Sequence, residues 1–428
     1  MGHLHGVGRP SKVARVAWML GCSLLFAVVY GGSNWLASQR AHVGTWFYDW
    51  EMRIPFVPAM IVPYWSIDLF FLSSFWVCTD RYELNVHGRR IICAILVAGA
   101  FFVAMPLRIG FPRPPVAGVF GSMFQFLRAF DQPQNLFPSL HIAFWLILRA
   151  VYVRHTRGMW QWGVKLWFAL IAVSTLLTWQ HQVVDVLGGL GLAMICFYLF
   201  RETPTRLPVT PNYQVGSYYA AGGLTLAGAG ILWPWLFWPA LALALVAIAY
   251  FGVGPAVFRK ENGGLPLSVK LLLGPVVVGQ WLSLVYYRRQ CRPWDEVAPG
   301  LFIGRQLSNT EAMAAGATAV LDLTCEFSEA RPFLAVAYCS LPILDLTGPT
   351  RQQLHDAVMF ITKHAGKGKV YVHCKIGYSR SAAVVGSYLL ASKRVASVEE
   401  AIALMRMARP SLIIRPEALE ALRVFAKD

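Results

Sequence analysis

In the stretch Tyr371-Val-His-Cys-Lys-Ile-Gly-Tyr-Ser-Arg-Ser381 a cysteine stands six positions ahead of an arginine, a spacing suited to phosphoryl chemistry. A β-branched and aromatic run stops at Cys374, and Ala382 to Ala391 reads as a helix aimed back at the same spot. Between them Lys375, Ile376, Gly377, Tyr378 and Ser379 have room to curl so that successive backbone N–H groups point inward. Such a nest at a helix N-terminus binds a dianion. Arg380 supplies a planar fork for two phosphate oxygens, and its field lowers the pKa of Cys374 so that the thiolate attacks and forms a phosphocysteine. The Ser381 hydroxyl is placed to bond the sulfur and help it leave, and His373 to orient the loop backbone.

The pattern His-Cys-x5-Arg-Ser resembles the protein tyrosine and dual-specificity phosphatase superfamily. That resemblance implies an aspartate general acid on a loop about thirty residues upstream, and Asp345 in Leu344-Asp-Leu-Thr-Gly-Pro349 is the match. Asp322-Leu-Thr-Cys-Glu-Phe327 and Ile413-Ile-Arg-Pro416 resemble the subgroup that includes the mitochondrial phosphatidylglycerophosphate phosphatase, which implies a lipid phosphate as substrate.

The elements that carry this stretch belong to a greasy chain. Of 428 residues 56% are apolar and only 14% charged, and several apolar runs are long enough to span a bilayer. The formal charge of +16 favours anionic headgroups or phosphorylated substrates, and no nucleic-acid-binding motif accompanies it. Eight scattered cysteines show no metal-ligand spacing, so no metal or other cofactor is expected; a catalytic thiolate needs a reducing compartment.

Taken in order, Val16 to Tyr30, Ile54 to Cys78, Ile91 to Leu107, Ser139 to Val153, Trp162 to Trp179 and Val186 to Phe200 read as six spans, with Asp68 inside the second. Arg81, Arg89, Arg90, Arg154 and Arg157 mark cytoplasmic loops. Arg108 to Phe137 then falls outside despite three arginines, an exception that phosphate binding would explain. A proline-bearing linker, Arg201 to Pro208, closes this unit. Ser217 to Gly254 is long enough for a helical hairpin. Leu265 to Tyr287, interrupted by Gly274-Pro275, is either a ninth span or a kinked segment in the cytoplasmic interface, and the interfacial reading is preferred. From about Trp294 short β-like runs (Leu301 to Ile303, Ala319 to Asp322, Val370 to Val372) alternate with helical stretches, the pattern of an α/β domain.

A second constellation lies in the membrane part: Arg113-Pro114, Pro138-Ser-Leu-His141 and His181-Gln-Val-Val-Asp185. Read as one helix face, His181 and Asp185 stand four apart, so that the carboxylate holds one ring nitrogen and frees the other as a nucleophile. His141 would protonate the leaving oxygen, while Arg113 and the hydroxyl or N–H of Ser139 hold the phosphate. These residues resemble the type 2 phosphatidic acid phosphatase superfamily, with Pro106 where that pattern has lysine, Leu140 for glycine and Ser174-Thr175 for Ser-Arg. Phe-Pro-Ser-Leu-His with a bare His-x3-Asp is more similar to the inositol phosphorylceramide and sphingomyelin synthase branch, which implies transfer of a phospho-headgroup between lipids.

The expectation is therefore a multi-pass α-helical membrane bundle (1–208), a further hairpin and membrane segment (209–293), and a C-terminal α/β cysteine phosphatase domain (294–428). Lipid phosphate is the favoured substrate, with a membrane-tethered protein phosphatase as the alternative and the bundle as its anchor. The phosphatase domain is expected in the cytoplasm and the histidine site on the outer side of a plasma (inner) membrane, with membrane phospholipids as partners.

Overall fold

The computed structural model describes residues 8–40, 42–130, 134–201 and 207–427. Arg206 and most of the linker expected at Arg201 to Pro208 lie outside the described residues. The chain forms two compact units, Met1–Pro204 and Thr205–Asp428.

The first unit is helical: α1 (Lys12–Ser38), α2 (Ile61–Val77), α3 (Arg81–Ala104), α4 (Gly118–Phe130), α5 (Leu140–His155), α6 (Gly158–Leu177) and α7 (Val183–Leu199). Its core joins Phe71 and Phe75 of α2, Ile91 and Ile95 of α3, Phe144 and Ile147 of α5, Ile171 of α6 and Leu192 of α7. Outward-facing apolar residues are abundant, among them Leu20, Leu69, Trp162 and Leu166. A bundle that is apolar on both its inner and outer faces is what lipid rather than water requires. Five described helices, counting one in the second unit, are long and apolar enough to cross a membrane. Helix α4 falls where the sequence shows only a loop between spans. Its Phe124 packs on Ile61 and Tyr64, so it is held by the bundle rather than by a transmembrane hydropathy signal.

The second unit opens with α8 (Tyr213–Gly230) and α9 (Phe237–Ile248), the latter continuing in tighter and wider turns to Phe258. It proceeds through α10 (Leu267–Leu272) and α11 (Gly274–Tyr287). The α/β part contains β1 (Trp294–Ala298), β2 (Leu301–Gly304), α12 (Asn309–Ala315), β3 (Ala319–Asp322), α13 (Arg331–Leu334), β4 (Ala337–Ser340), α14 (Arg351–His364), β5 (Val370–His373), α15 (Ser379–Ala391), α16 (Val398–Ala408) and α17 (Pro416–Phe425). The sheet runs β1-β2-β5-β3-β4, with β5 parallel to both neighbours and β1 antiparallel at the edge.

Both faces of β3 and β5 are covered, as their unbroken apolar runs require. Leu321 and Val372 meet α14 and α15 on one face, whereas Val320 and Tyr371 meet α12 and Phe333 of α13 on the other. In register, Asp322 stands beside His373 at the carboxyl ends of adjacent parallel strands. The loop that follows β5 therefore leaves the sheet at the edge where α/β folds hold ligands.

Candidate active sites

The loop after β5 is short, and its shape depends on Gly377. That residue has φ +75°, and a Cβ there would come within 2.4 Å of the Gly304 carbonyl oxygen. Helix α15 begins immediately at Ser379, so the turn closes around the side of Cys374. Burial pushes the Cys374 thiol up, but the Arg380 guanidinium, the Ser381 hydroxyl and the backbone N–H groups of Ser381 and Tyr378 outweigh it. The thiol is held below its ordinary value, the direction a nucleophile needs.

Arg380 is almost wholly buried and is fixed from behind the loop. Its Nη2 and Nη1 donate to Glu326 at 2.7 and 3.2 Å, and Nη1 also donates to the Ile343 carbonyl at 2.8 Å. On the same guanidinium, Nη2 lies 3.2 Å from Asp345 Oδ1, while Lys375 Nζ lies 3.4 Å from Asp345 Oδ2. Burial raises the Asp345 pKa, yet Arg380 and Lys375, with the Leu346 N–H, bring it below the ordinary aspartate value. Asp345 thus lies with its carboxylate among the cations of the loop.

Below the loop His373 Nε2 donates to Glu329 Oε2 at 2.7 Å and lies 3.8 Å from Asp322. Lys260 Nζ donates to Asp322 and to Thr324 Oγ1 (2.9 Å) and carbonyl (3.0 Å). Ligand atoms of Asp322, Glu329 and His373 come together closely enough for a cation, and the buried Lys260 ammonium already supplies positive charge there. The Ile376 carbonyl is held by buried Arg409, which also pairs with Asp295 at 2.6 Å. A cavity of about 280 Å³ opens over Cys374 and Arg380, lined further by Asp345, Thr347, Arg415 and three residues of α11.

In the first unit a cavity of about 220 Å³ gathers Tyr64, Asp68, Arg113, Asn135, His141 and His181. The His141 and His181 rings lie 6.4 Å apart, and Tyr64 stacks on His141 at 4.1 Å. His181 Nδ1 is 3.7 Å from Asp185 Oδ2, a charge contact longer than a hydrogen bond. Here the structure corrects the expected helix face. His181 precedes α7, and Asp185 is its third residue, where its carboxylate accepts from the Gln182 N–H at 2.8 Å in a capping box. The two meet through a helix cap rather than along a helix. Ser139 also serves caps: its Oγ accepts from Ile142 N–H at 3.2 Å and its N–H donates to the Asp185 carbonyl at 3.0 Å. Arg113 Nε donates to the Trp179 carbonyl at 2.9 Å.

Residues 301–428 match the family described as "Dual specificity phosphatase, catalytic domain", and residues 64–199 match the "PAP2 superfamily". The chain carries a PAP2-superfamily domain followed by a dual specificity phosphatase catalytic domain. "Phosphatidylglycerophosphatase and protein-tyrosine phosphatase 1" of Rattus norvegicus is 41% identical over 106 residues, 24% of this chain and 54% of that protein. The Homo sapiens protein of the same name is 39% identical over 106 residues, covering 24% and 52%. The chain spans about half the length of the curated relatives it matches. Among solved structures, Tk-PTP in its active form is 25% identical, covering 32% of this chain and 97% of that one with a TM-score of 0.30. PTPMT1 is 30% identical, covering 31% and 94% with a TM-score of 0.29.

In the dual specificity phosphatase domain the fold brings together Cys374, Arg380, Ser381, Lys375 and Asp345; in the PAP2-superfamily domain it brings together Arg113, His141 and His181. Glu326, Glu329, Arg409 and Lys260 were not singled out from the sequence. Glu326 lies inside the quoted Asp322 to Phe327 stretch, whereas for Arg409 and Lys260 no local pattern points to the loop.

Proposed function

We propose that the dual specificity phosphatase domain hydrolyses phosphate monoesters through a phosphocysteine at Cys374, with a lipid phosphate as its substrate. The observation that carries this reading is the lowered thiol of Cys374 within one loop of a clamped Arg380 and an inward-lying Asp345. Cys374 Sγ attacks phosphorus as the ester P–O bond breaks, and Asp345 gives its proton to the departing oxygen. Water then attacks phosphorus, forming a new P–O bond as the P–S bond breaks, which returns the thiolate and releases inorganic phosphate, with Asp345 taking the water proton. Asp345 is charged while paired with Arg380 and Lys375. A phosphate dianion that claims those cations removes its partners and adds a like charge, which raises its pKa as a proton donor is required. The relatives' name joins a phosphatidylglycerophosphatase with a protein-tyrosine phosphatase, so it supports a lipid substrate and keeps a protein substrate as the alternative. Full-length protein in detergent, assayed for phosphate release, tests the reading: Cys374→Ser must remove the activity, and full turnover in that variant overturns it. Higher kcat/KM on phosphotyrosyl peptides than on phosphatidylglycerophosphate would favour a protein phosphatase instead.

For the PAP2-superfamily domain we infer a phosphohistidine route in which His181 is the nucleophile and His141 the acid. Ring centroids 6.4 Å apart leave space for a phosphoryl group between them, beside Arg113. Arg81, Arg89 and Arg90, which lie in the N-terminal part of α3 rather than in a loop, and Arg154 and Arg157 at the α5–α6 turn support, by the positive-inside rule, an outer-side position for this site. Arg288, Arg289 and Arg292, after a 14-residue α11 of about 21 Å that falls short of a ~30 Å core, support the reading that the phosphatase domain lies inside. An impermeant thiol reagent added to intact cells should therefore leave Cys374 unmodified.

A further inference from the structure

Three elements that precede the phosphatase domain in the chain reach its catalytic loops. Gln280 of α11 accepts a hydrogen bond from Lys375 Nζ at 2.7 Å, the same ammonium that faces Asp345. Tyr250, just past α9, donates to the Asp345 carbonyl at 2.8 Å. Asn212, the N-cap of α8, donates to the Leu346 carbonyl at 2.8 Å. Leu346 has φ +58°, a left-handed conformation that a bulky side chain adopts only when held there. The general-acid loop is therefore clamped at two consecutive carbonyls by residues 209–293.

Helix α11 has two sides, with Tyr287 at its end both facing the cavity and partly exposed. Gln280, Ser283 and Tyr287 line the cavity over Cys374, and Leu284 packs on Ile376 of the phosphate loop and on Phe327. These positions follow the i, i+3, i+4, i+7 spacing of one helix face. Val278, Trp281, Leu282 and Tyr286 are exposed and, at about 100° per residue, fall on the opposite face. With a Trp and a Tyr among aliphatic residues, that outer face has the composition of a helix lying in a membrane interface. One helix thus has lipid-suited residues on one side and the wall of the phosphate pocket on the other.

We propose that α11 is the specificity wall of the phosphatase site, selecting a phospholipid whose terminal phosphate monoester enters from the bilayer past Gln280, Ser283 and Tyr287. The lipid keeps its acyl chains on the Trp281 and Leu282 side, and only the headgroup must cross the width of the helix to reach Cys374. Gln280 acts through Lys375 and is a positioning residue: by accepting from the ammonium it sets how strongly that cation holds Asp345. This inference rests on the cysteine phosphatase reading above and deepens it.

The test uses full-length protein carrying His181→Asn, so that the other unit contributes no turnover. Phosphatidylglycerophosphate in phosphatidylcholine vesicles is compared with a soluble aryl phosphate. Tyr287→Ala is expected to lower kcat/KM on the vesicle lipid at least about tenfold more than on the aryl phosphate, chiefly through KM, as loss of a pocket contact does. Gln280→Ala should lower kcat on both substrates, and Gln280→Glu, which keeps the acceptor, should restore it. Equal effects of Tyr287→Ala on the two substrates, or no effect on either, overturns the specificity wall. So does a Gln280→Glu enzyme no better than Gln280→Ala. Absence of Cys374-dependent turnover of the aryl phosphate in the parent protein would instead defeat the underlying phosphatase reading, and this inference with it.

Discussion

Arg380 donates both terminal nitrogens to the buried carboxylate of Glu326, at 2.7 and 3.2 Å. The guanidinium plane is therefore set before any phosphate arrives, which lowers the ordering cost of binding one. It also changes what an arginine deletion means. Arg380→Ala leaves Glu326 charged, buried and without its partner, a loss of about 3–5 kcal/mol by the cost of breaking such pairs. Arg380→Lys keeps the charge without the fork, so it should stay folded and lose most of kcat/KM. Glu326→Gln should retain the fold and raise KM for the phosphate ester more than it lowers kcat. A thermal midpoint in detergent beside steady-state kinetics checks both. Unchanged KM in Glu326→Gln would mean that the clamp does not orient the fork.

The thiol of Cys374 is held below its ordinary value of 9.0 because Arg380, Ser381 and loop N–H groups overcome burial. Thiolate is therefore present at pH values where a free cysteine is mostly protonated. Alkylation by iodoacetamide, followed against pH, should show a midpoint below 9, and the rate should fall as pH drops through it. Ser381→Ala removes one of the groups favouring the thiolate, so its midpoint should move upward. A midpoint at or above that of free cysteine in the native protein would contradict the nucleophile assignment.

Lys260, Asp322, His373 and Glu329 form a buried ionic network beneath the loop. Burial alone would raise the Asp322 pKa, but Lys260 and His373 hold it lowered, so its share of stability is present above the unfolded value and fades as pH falls through the folded one. His373 has the opposite sign. Burial lowers its pKa, but Glu329 and Asp322 raise it by more, and the net is upward. Its share is complete below about 6.5 and fades as pH rises through the raised value. Lys260→Met should cost about 3–5 kcal/mol, since it takes the ammonium from buried Asp322 and leaves it Thr324, Tyr338 and His373. It should also steepen the loss of stability at alkaline pH, where His373 is then the principal remaining cation. Thermal midpoints of both proteins from pH 5 to 9 measure this. A Lys260→Met protein as stable as the parent would sink it.

Much of this was legible in the sequence because it was local. Strand β5, the loop and α15 are one continuous stretch, and the spacing from Cys374 to Arg380 reflects the length of the turn itself. Strands β1 and β4 were missed. β4 is only half-buried and β1 carries Asp295 and Glu296, so neither shows a clean apolar alternation. The partners that adjust the chemistry arrive over long separations, Gln280 to Lys375 and Lys260 to Asp322, and no spacing rule reaches that far. The His181 and Asp185 pair shows another limit. Four residues apart they fit a helix face, yet Gln182 caps the helix between them, and periodicity does not distinguish a helix interior from its first turn.

The PAP2-superfamily site offers the last expected outcome. Its cavity contains Arg113 and Asp68 with the two histidines, while Thr175 and Pro106 stand where the resembled pattern carries cations. With less positive charge to stabilise a developing phosphoryl dianion, the site must gain rate from orientation, and a bound acceptor alcohol provides that by its high effective concentration. In a Cys374→Ser background, labelled phospholipid should leave an acid-labile phosphoryl or headgroup adduct on the protein, absent in His181→Asn. His141→Asn should slow its formation without abolishing it, because in the proposed route His141 protonates the leaving oxygen and does not form the bond. Adding a lipid or polyol acceptor should raise product formation well above hydrolysis in water. Turnover that ignores the acceptor, or an adduct that survives His181→Asn, would reject the transferase reading, and no reaction with any donor would also leave the bundle as an anchor.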